Sequence, residues 1–282
     1  MAVEIPRPIH RWTAVKLEHL DAYLQAYVTA TKRWGERYYI DAFAGCGDCV
    51  LMENQMPVEG SALRALSTVP PFSGYYFVEA DQRSVEHLER RTSAKDIPNV
   101  HVLCGDCNEL IPKEVLPKLP RNAPSFAFLD PTGLQLQWRT VEALARHRSI
   151  GDYKMELLIV YPYDMAINRQ FFLPRPPTRA LTLFYGNNEW EAEFQDSRRL
   201  REGSPARRER FVNLYVGNLK SLAYRYVDVY GPLRDRGRPL YHVIFAGDHP
   251  VGAKIMRDVW SKSRPIPGEM WYRPLRRPAP KS

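Results

Sequence analysis

The 282-residue sequence has no apolar run that approaches the roughly 18 residues of a membrane-spanning helix. Its first residues, MAVEIPRPIHRW, lack the apolar core of a secretory signal peptide. There are only four cysteines, and without an export signal a framework of disulfide bonds is not expected. These absences favour a cytoplasmic protein without a membrane segment. The hydrophobic content of 44% is ample for a core.

Basic charge is concentrated near the end of the chain. The sequence carries 40 Lys or Arg against 32 Asp or Glu, a formal net charge of +8. Residues 251–282 contain eight basic residues and two acids, together with Trp260, Trp271 and Tyr272. Basic and aromatic side chains in one segment suit phosphate contact and base stacking, so nucleic acid is a candidate partner of this tail. A solvated tail without a partner is the alternative.

The stretch Tyr38–Asp41 predicts a buried strand that ends on an acid. Before it, between residues 15 and 34, apolar residues recur at three- and four-residue steps, as on one face of a helix. Directly after it comes a turn rich in small residues: Phe43, Ala44, Gly45, Cys46 and Gly47. Such a turn at the carboxyl end of a strand is where α/β proteins bind nucleotide-like ligands. An ordinary tight turn between strand and helix is the alternative.

Three further predicted strands each end on an acid. They cover 74–79, 99–106 and 125–130 and end on Glu79, Asp106 and Asp130. A carboxylate beside a glycine turn can accept hydrogen bonds from ribose hydroxyls, which suits Glu79, and Asp106 can accept from an amine such as adenine N6. A fifth strand is expected at 157–162. Strands that alternate with helices predict a doubly wound α/β sheet.

The remaining segments complete the expected organisation. Residues 48–59 predict a polar insertion, either a lid over a ligand or a surface loop, before a helix with Ser61 as its candidate cap. A helical insertion is expected around 164–222, with one highly charged helical stretch at 189–210. Alternating residues at 224–229 and 240–245 predict an antiparallel hairpin that closes the sheet. We therefore expect a helical segment (1–37), an α/β domain (38–250) and the basic tail (251–282).

The acids on successive strands resemble those of the class I S-adenosylmethionine-dependent methyltransferases. The resemblance implies a Rossmann-like methyltransferase sheet and S-adenosyl-L-methionine as the cofactor. It implies that the turn after Asp41 approaches the amino-acid part of the cofactor through Phe43, Ala44, Gly45 and Gly47. It further implies that Glu79 holds the ribose, that Asp106 meets the adenine, and that Asp130 and Pro131 face the substrate.

A narrower resemblance runs through most of the chain. The combination of IDAFAGCG, GSALRAL, FVEAD, CGDCN and FLDPTG, after the helix KLEHLDAYLQAY, is similar to the three-Cys-motif partner protein (TcmP) family. This resemblance implies a methyltransferase-like fold and a three-Cys-motif protein as a partner. It supplies little about the substrate.

The run Asp130-Pro131-Thr132-Gly133 bears on the methyl acceptor. It resembles in part the motif of amino-methyltransferases acting on nucleic-acid bases, where an acid or Asn precedes two prolines and an aromatic residue. The second proline and the aromatic are absent here. Trp138 or Tyr161 could supply the stacking ring, or could be packed aromatics. Asn168 and Arg169 are candidates for contact with a substrate or partner, or form a structural pair.

All four cysteines lie in two copies of Cys-Gly-Asp-Cys, at Cys46, Cys49, Cys104 and Cys107. Two such pairs are typical of a zinc or iron–sulfur ligand set. However, Gly47, Gly105 and Asp106 are already required by the proposed cofactor, and a metal would crowd the same pocket. We therefore favour independent small residues in tight turns and expect no metal.

These patterns together favour an enzyme, a methyltransferase that uses S-adenosyl-L-methionine and acts on a nucleic-acid base or a similar amine. Two alternatives stay open. The fold could serve as a non-catalytic binding partner of another protein, or the chain could bind a metal through its two Cys-Gly-Asp-Cys loops.

Overall fold

The structure, a computed structural model, describes residues 5–147, 153–173, 178–200 and 204–262. Its strands are β1 (Arg7–Ile9), β2 (Tyr38–Asp41), β3 (Asp48–Leu51), β4 (Pro57–Glu59), β5 (Gly74–Glu79), β6 (Val100–Cys104), β7 (Ser125–Leu129), β8 (Glu156–Tyr161), β9 (Tyr226–Asp235) and β10 (Arg238–Gly247). Its α-helices are α1 (Arg11–Ala30), α2 (Ser61–Leu66), α3 (Gln82–Ser93), α4 (Cys107–Leu110), α5 (Trp138–His147), α6 (Asn168–Gln170), α7 (Thr178–Tyr185), α8 (Glu189–Arg199), α9 (Ser204–Ser221) and α10 (Pro250–Lys262). Two π-helical turns, Ile111–Val115 and Tyr163–Ile167, and a 3-10 turn, Leu116–Lys118, lie between them.

Seven strands form one sheet in the order β6-β5-β2-β7-β8-β10-β9. Neighbours from β6 to β8 pair in parallel, whereas β10 runs antiparallel to both β8 and β9. The predicted doubly wound, Rossmann-like α/β sheet with a terminal antiparallel hairpin is therefore confirmed. The five predicted parallel strands all form, within a few residues of the expected positions.

Helices cover both faces of this sheet because the central strands are apolar on both sides. Tyr39 and Ile40 are adjacent in β2 and completely buried, yet they belong to the two separate cores on opposite faces. The first core packs under α1, α2 and α10, and the second under α5, α7, α8 and α9. The carboxyl end of β2 therefore lies inside the sheet, between the carboxyl ends of β5 and β7.

Residues 48–59, expected as a lid or a surface loop, form part of a second, three-stranded sheet, and a lid role stays a prediction. This segment forms the hairpin β3-β4, and β1 adds to it in parallel, with Arg7 opposite Cys49. Strand pairing satisfies part of the backbone of this segment. Because β1 lies some forty residues earlier, its pairing could not be seen in the local pattern. The small sheet anchors the segment before α1 beside the turn that follows β2.

Several other boundaries differ from expectation. Gly60, not Ser61, is the residue that caps α2, and the Ser61 side chain is buried instead. The charged stretch 189–210 is two helices, with residues 201–203 outside the described part. Gly231, expected in the hairpin loop, lies within β9, where the register shifts by one residue opposite Tyr241 to Val243. The reversal itself occurs at Arg236 and Gly237.

The start of the segment expected as a basic tail is helical. Met256 and Trp260 of α10 are buried, and Trp260 stacks on Tyr230 with ring centroids 5.0 Å apart. Trp260 is therefore a core side chain and is not available to stack on a base. Residues 263–282, including Trp271 and Tyr272, lie outside the described residues, so their nucleic-acid contact stays a prediction, as do the domain limits. Across the described ranges, the structure contains no helix with the length and apolarity to cross a membrane.

Candidate functional site

The turn after β2 uses two glycines in the left-handed region of φ. Gly45 has φ +63° and Gly47 has φ +83°. At Gly47 a side chain would also lack room, because a Cβ there would lie 2.9 Å from Leu88 Cδ1 and 3.3 Å from Leu63 Cγ. The backbone of this turn is tied to its neighbours, since the Gly60 amide donates to the Gly47 carbonyl at 2.7 Å. The result is a rigid cradle of bare backbone at the centre of the sheet edge.

Glu79, at the end of β5, holds this cradle in place. Its Oε2 accepts a hydrogen bond of 2.9 Å from the Gly45 amide, and its Oε1 accepts one of 2.9 Å from the Asp81 amide. A carboxylate oxygen can accept more than one hydrogen bond, so these contacts leave acceptor capacity for a ribose hydroxyl. The predicted role of Glu79 in ribose binding stays a prediction.

Asp41 is buried completely beneath the turn. Its Oδ1 accepts from the Phe43 amide at 3.2 Å, and its Oδ2 accepts from the Tyr39 hydroxyl at 3.3 Å. Burial raises the pKa of Asp41 to about 7, while hydrogen bonds from Ser61, Phe43 and Tyr39 oppose that rise. Asp41 therefore supports the turn from below.

Asp106, expected to meet adenine, caps the short helix α4. Its Oδ1 accepts from the Asn108 amide at 2.9 Å and from Asn108 Nδ2 at 2.8 Å. Asn108 in turn accepts from the Gln137 amide at 2.9 Å through its Oδ1. Asp106 is exposed and follows β6, next to β5 in the sheet. It therefore lies on the same edge as Glu79, where a nucleoside could extend, and its role stays a prediction.

A cavity of about 200 Å³ brings part of the predicted site together. Its walls are the glycine turn, the segment from β1 to the first turns of α1, the residues after β7, and Tyr241. The predicted residues that line it are Phe43, Ala44, Gly45, Gly47, Asp130 and Pro131. Asp41, Glu79 and Asp106 lie outside its lining. The glycine turn and the Asp-Pro step thus face one cavity.

Lys16 is one of the cavity residues that were not predicted from the sequence. It extends from α1 and forms an ion pair with Asp130 Oδ2, although only 5% of its side chain is exposed. A signal was present in the sequence: Lys16 takes a place on the apolar stripe that continues through Leu20, Tyr23 and Tyr27. A charged residue on the buried face of a helix requires a partner. Here the partner lies 114 residues away in the chain.

The four residues considered for substrate contact do not join this cavity. Tyr161 is completely buried, and its hydroxyl donates to the Phe211 carbonyl at 2.9 Å. Trp138 packs edge-on against Tyr215, with ring centroids 5.3 Å apart. Both are packed aromatics in the described structure. Asn168 Oδ1 accepts from Arg207 at 3.4 Å, and Arg169 is exposed at the start of α6.

The two Cys-Gly-Asp-Cys copies adopt different structures. In the first copy, Cys46 is buried in the glycine turn and Cys49 lies in β3; in the second, Cys104 ends β6 and is exposed, whereas Cys107 is buried at the start of α4. Burial raises the pKa of the Cys49 thiol to about 11 and that of Cys107 to about 12. Among the described residues, no group of three or more His, Cys, Asp or Glu could hold a metal ion. The described structure therefore gives no support to a zinc or iron–sulfur site formed by the four cysteines.

Comparison with known proteins identifies the fold. No family model matches the chain, and no curated protein matches it. Among solved structures, LPL1258 of Legionella pneumophila is similar over 87% of this chain and 90% of its own, with a TM-score of 0.50 and 13% identity. Trm1 of Pyrococcus horikoshii with S-adenosyl-L-methionine matches 93% of this chain and 62% of its own, at TM-score 0.49 and 12% identity.

An rRNA methylase of Streptococcus thermophilus matches 81% of this chain and 92% of its own, with a TM-score of 0.41 and 14% identity. An identity of 13% to LPL1258 shows a shared fold and nothing finer. With the strand order and the antiparallel β10, this likeness supports a Rossmann-like α/β fold. Membership of the TcmP family is not confirmed and stays a prediction.

Proposed function

We propose that this protein is an S-adenosyl-L-methionine-dependent methyltransferase, with Asp130 orienting an amino acceptor. The observation that carries the proposal is the shared cavity: the glycine cradle and Asp130 both line it at the carboxyl ends of the strands. In this fold class, ligands bind at that edge, where the strand order reverses. The cradle at Gly47 suits the close approach of a ligand because a Cβ there would meet Leu88 and Leu63.

Different residues at the carboxyl ends of the strands would contact different parts of the cofactor. The backbone of Gly45 and Gly47 would hold the amino-acid part of the cofactor, while Glu79 and Asp106 would hold its ribose and adenine. Bound there, the cofactor supplies an activated methyl group on a sulfonium, so the protein needs to provide positioning and a path for a proton. Asp130 would orient the acceptor nitrogen through a carboxylate oxygen and would take up the proton that this nitrogen loses on methylation, passing it to water.

The ion pair with Lys16 fits this role for Asp130. Lys16 occupies Oδ2, and among the described residues Oδ1 makes no hydrogen bond. One oxygen is thus fixed in position by the protein, and the other can accept from a substrate amine. The ammonium also balances the charge of Asp130 in a space close to Asp41.

Calorimetry with S-adenosyl-L-methionine, combined with transfer of a labelled methyl group to mixed nucleic acid, tests the proposal. We expect wild-type protein to bind the cofactor and Asp130→Asn to bind it within about twofold while losing transfer by about a hundredfold or more. Glu142→Gln, on the exposed face of α5, is the matched control and should keep both.

The outcomes separate the hypotheses. Absence of cofactor binding by wild-type protein would remove the methyltransferase proposal. Equal loss of cofactor affinity in Asp130→Asn would place Asp130 on the cofactor rather than the acceptor. Binding without transfer to any acceptor would favour a non-catalytic partner of another protein, including the three-Cys-motif partner that the family resemblance implies.

A further inference from the structure

An aromatic wall closes the acceptor side of the cavity. It consists of Trp12, in the first turn of α1, and Tyr241, in β10, whose rings stack with centroids 5.0 Å apart and planes at 26°. Both residues line the cavity that holds Asp130. The Asp-Pro step lacks the aromatic residue that could stack on a planar acceptor. Trp12, in the first turn of α1, places an aromatic ring in the wall of the same cavity as Asp130.

The protein itself shows how an amine fits against this wall. The Lys16 ammonium contacts Asp130 and lies 5.6 Å from the centroid of the Trp12 ring. A nitrogen that bears protons is therefore accommodated between a carboxylate and an aromatic ring. The amino group of a base that stacked against Trp12 would need the same two neighbours, a hydrogen-bond acceptor and a flat apolar surface.

Two exposed arginines, Arg7 and Arg169, lie near the wall. Burial raises the pKa of Tyr241 to about 12, with the charge of Asp130 acting in the same direction and those of Arg7 and Arg169 opposing it. Arg7 and Arg169 thus lie within electrostatic reach of the Tyr241 hydroxyl. Both are exposed, and neither has a carboxylate within 4 Å among the described residues. Exposed guanidinium groups beside an aromatic surface suit a phosphate backbone with unstacked bases.

We propose that the aromatic wall is an acceptor-base subsite and that the acceptor is an amino-bearing base of single-stranded nucleic acid. This inference rests on the proposed methyl transfer and names its substrate class. The base stacks on Trp12, the partly exposed ring of the wall that packs on the buried Tyr241, its amino group reaches Asp130, and the adjoining phosphates contact Arg169. A base within a duplex could not reach the cavity without leaving its stack, so single strands are favoured.

The test measures binding of fluorescein-labelled oligonucleotides by anisotropy, with S-adenosylhomocysteine present and the full chain used throughout. Single-stranded RNA, single-stranded DNA and a duplex of mixed sequence are the three probes. Trp12→Ala should weaken single-strand binding about tenfold, since base stacking on an aromatic ring has about this effect. Trp12→Phe should restore most of it. Trp34→Ala, an exposed tryptophan beyond the other end of α1, is the matched control and should change nothing.

Charge is tested in the same assay. Arg169→Gln should weaken single-strand binding and lower the slope of log affinity against log salt by about one. Arg33→Gln, an exposed arginine beyond the other end of α1, should leave the slope unchanged. The better of the RNA and DNA probes identifies the type of strand.

The inference fails if Trp12→Ala binds as well as Trp34→Ala, or if the duplex binds as tightly as the single strands. Cofactor affinity distinguishes this failure from failure of the proposed function. If S-adenosyl-L-methionine binds wild-type protein but the oligonucleotide assay gives either of these two contradicting results, only the subsite assignment is wrong. If the cofactor does not bind, the proposed function falls with it.

Discussion

The two sides of the cavity are built in different ways. The proposed cofactor side is backbone: the glycine turn, tied by an amide hydrogen bond to Glu79 and supported by the buried Asp41. The proposed acceptor side is made of side chains from three distant parts of the chain, Lys16, Asp130 and Tyr241. A backbone site leaves a local signature in the sequence, because few residues other than glycine can form it. A side-chain site of this kind leaves almost none.

The largest expected effect concerns Asp41, under the cofactor side. Its pKa in the folded protein, about 7, lies above the ordinary 3.8, so its stabilising contribution is complete below about pH 4 and is lost as pH rises through 7. The full loss is about 4 kcal/mol. Urea unfolding between about pH 4 and 7 should show that the free energy of unfolding falls more steeply with pH for wild-type protein than for Asp41→Asn.

Burial lowers the pKa of His242 to about 3, which gives the opposite pH dependence. His242 is present in both proteins, so its effect cancels when the two unfolding profiles are subtracted. Parallel profiles would show that the pKa of Asp41 is not raised in the folded protein, which would contradict the prediction.

The next largest effect belongs to the acceptor side. Lys16→Met should lower the free energy of unfolding by about 3 kcal/mol, because it leaves Asp130 without its partner in a largely buried pair. The double variant Lys16→Met with Asp130→Asn should recover most of this loss. Cofactor affinity, measured by calorimetry, should stay within about twofold in both. A large fall in cofactor affinity would mean that the two sides are not separate.

A substitution in the glycine turn, unlike those at Lys16, should lower cofactor affinity as well as stability. Gly47→Ala should cost about 2 kcal/mol of stability, from its positive φ and from crowding against Leu88 and Leu63, and should weaken cofactor binding. Gly45→Ala is the matched control: a Cβ there approaches only Arg7 Nη1, at 3.9 Å, so strain alone remains and should cost about 1 kcal/mol. Equal losses in chemical denaturation would show that crowding at Gly47 is unimportant.

The smallest expected effect is that of Glu79→Gln. The amide keeps one acceptor oxygen but replaces the other with a donor, so one of the bonds to the Gly45 and Asp81 amides is lost, at about 1 kcal/mol. Cofactor affinity should fall severalfold, and oligonucleotide binding should not change. Unchanged cofactor affinity would remove Glu79 from the cofactor side.

Prediction from the sequence succeeded where the pattern is local. The strand Tyr38–Asp41, its glycine turn and the acids that end the later strands follow from hydrophobic runs and small residues, and the sheet forms as expected. Expectations failed where pairing is distant. β3 and β4 are partly exposed and have no strong alternation, so the small sheet was not predicted. For Trp138 and Tyr161 the sequence left stacking and packing open, and their packing in the structure depends on helices α7 to α9.

The sequence by itself determined the parallel sheet and the backbone cradle, because strand propensity, glycine conformation and strand-end acids act over a few residues. Only the tertiary structure decided which side chains share the cavity with that cradle. Lys16 meets Asp130 across 114 residues, and Trp12 meets Tyr241 across the whole domain. Such contacts are set by how α1 packs on the sheet and where β10 joins it, and no local pattern in the chain specifies either.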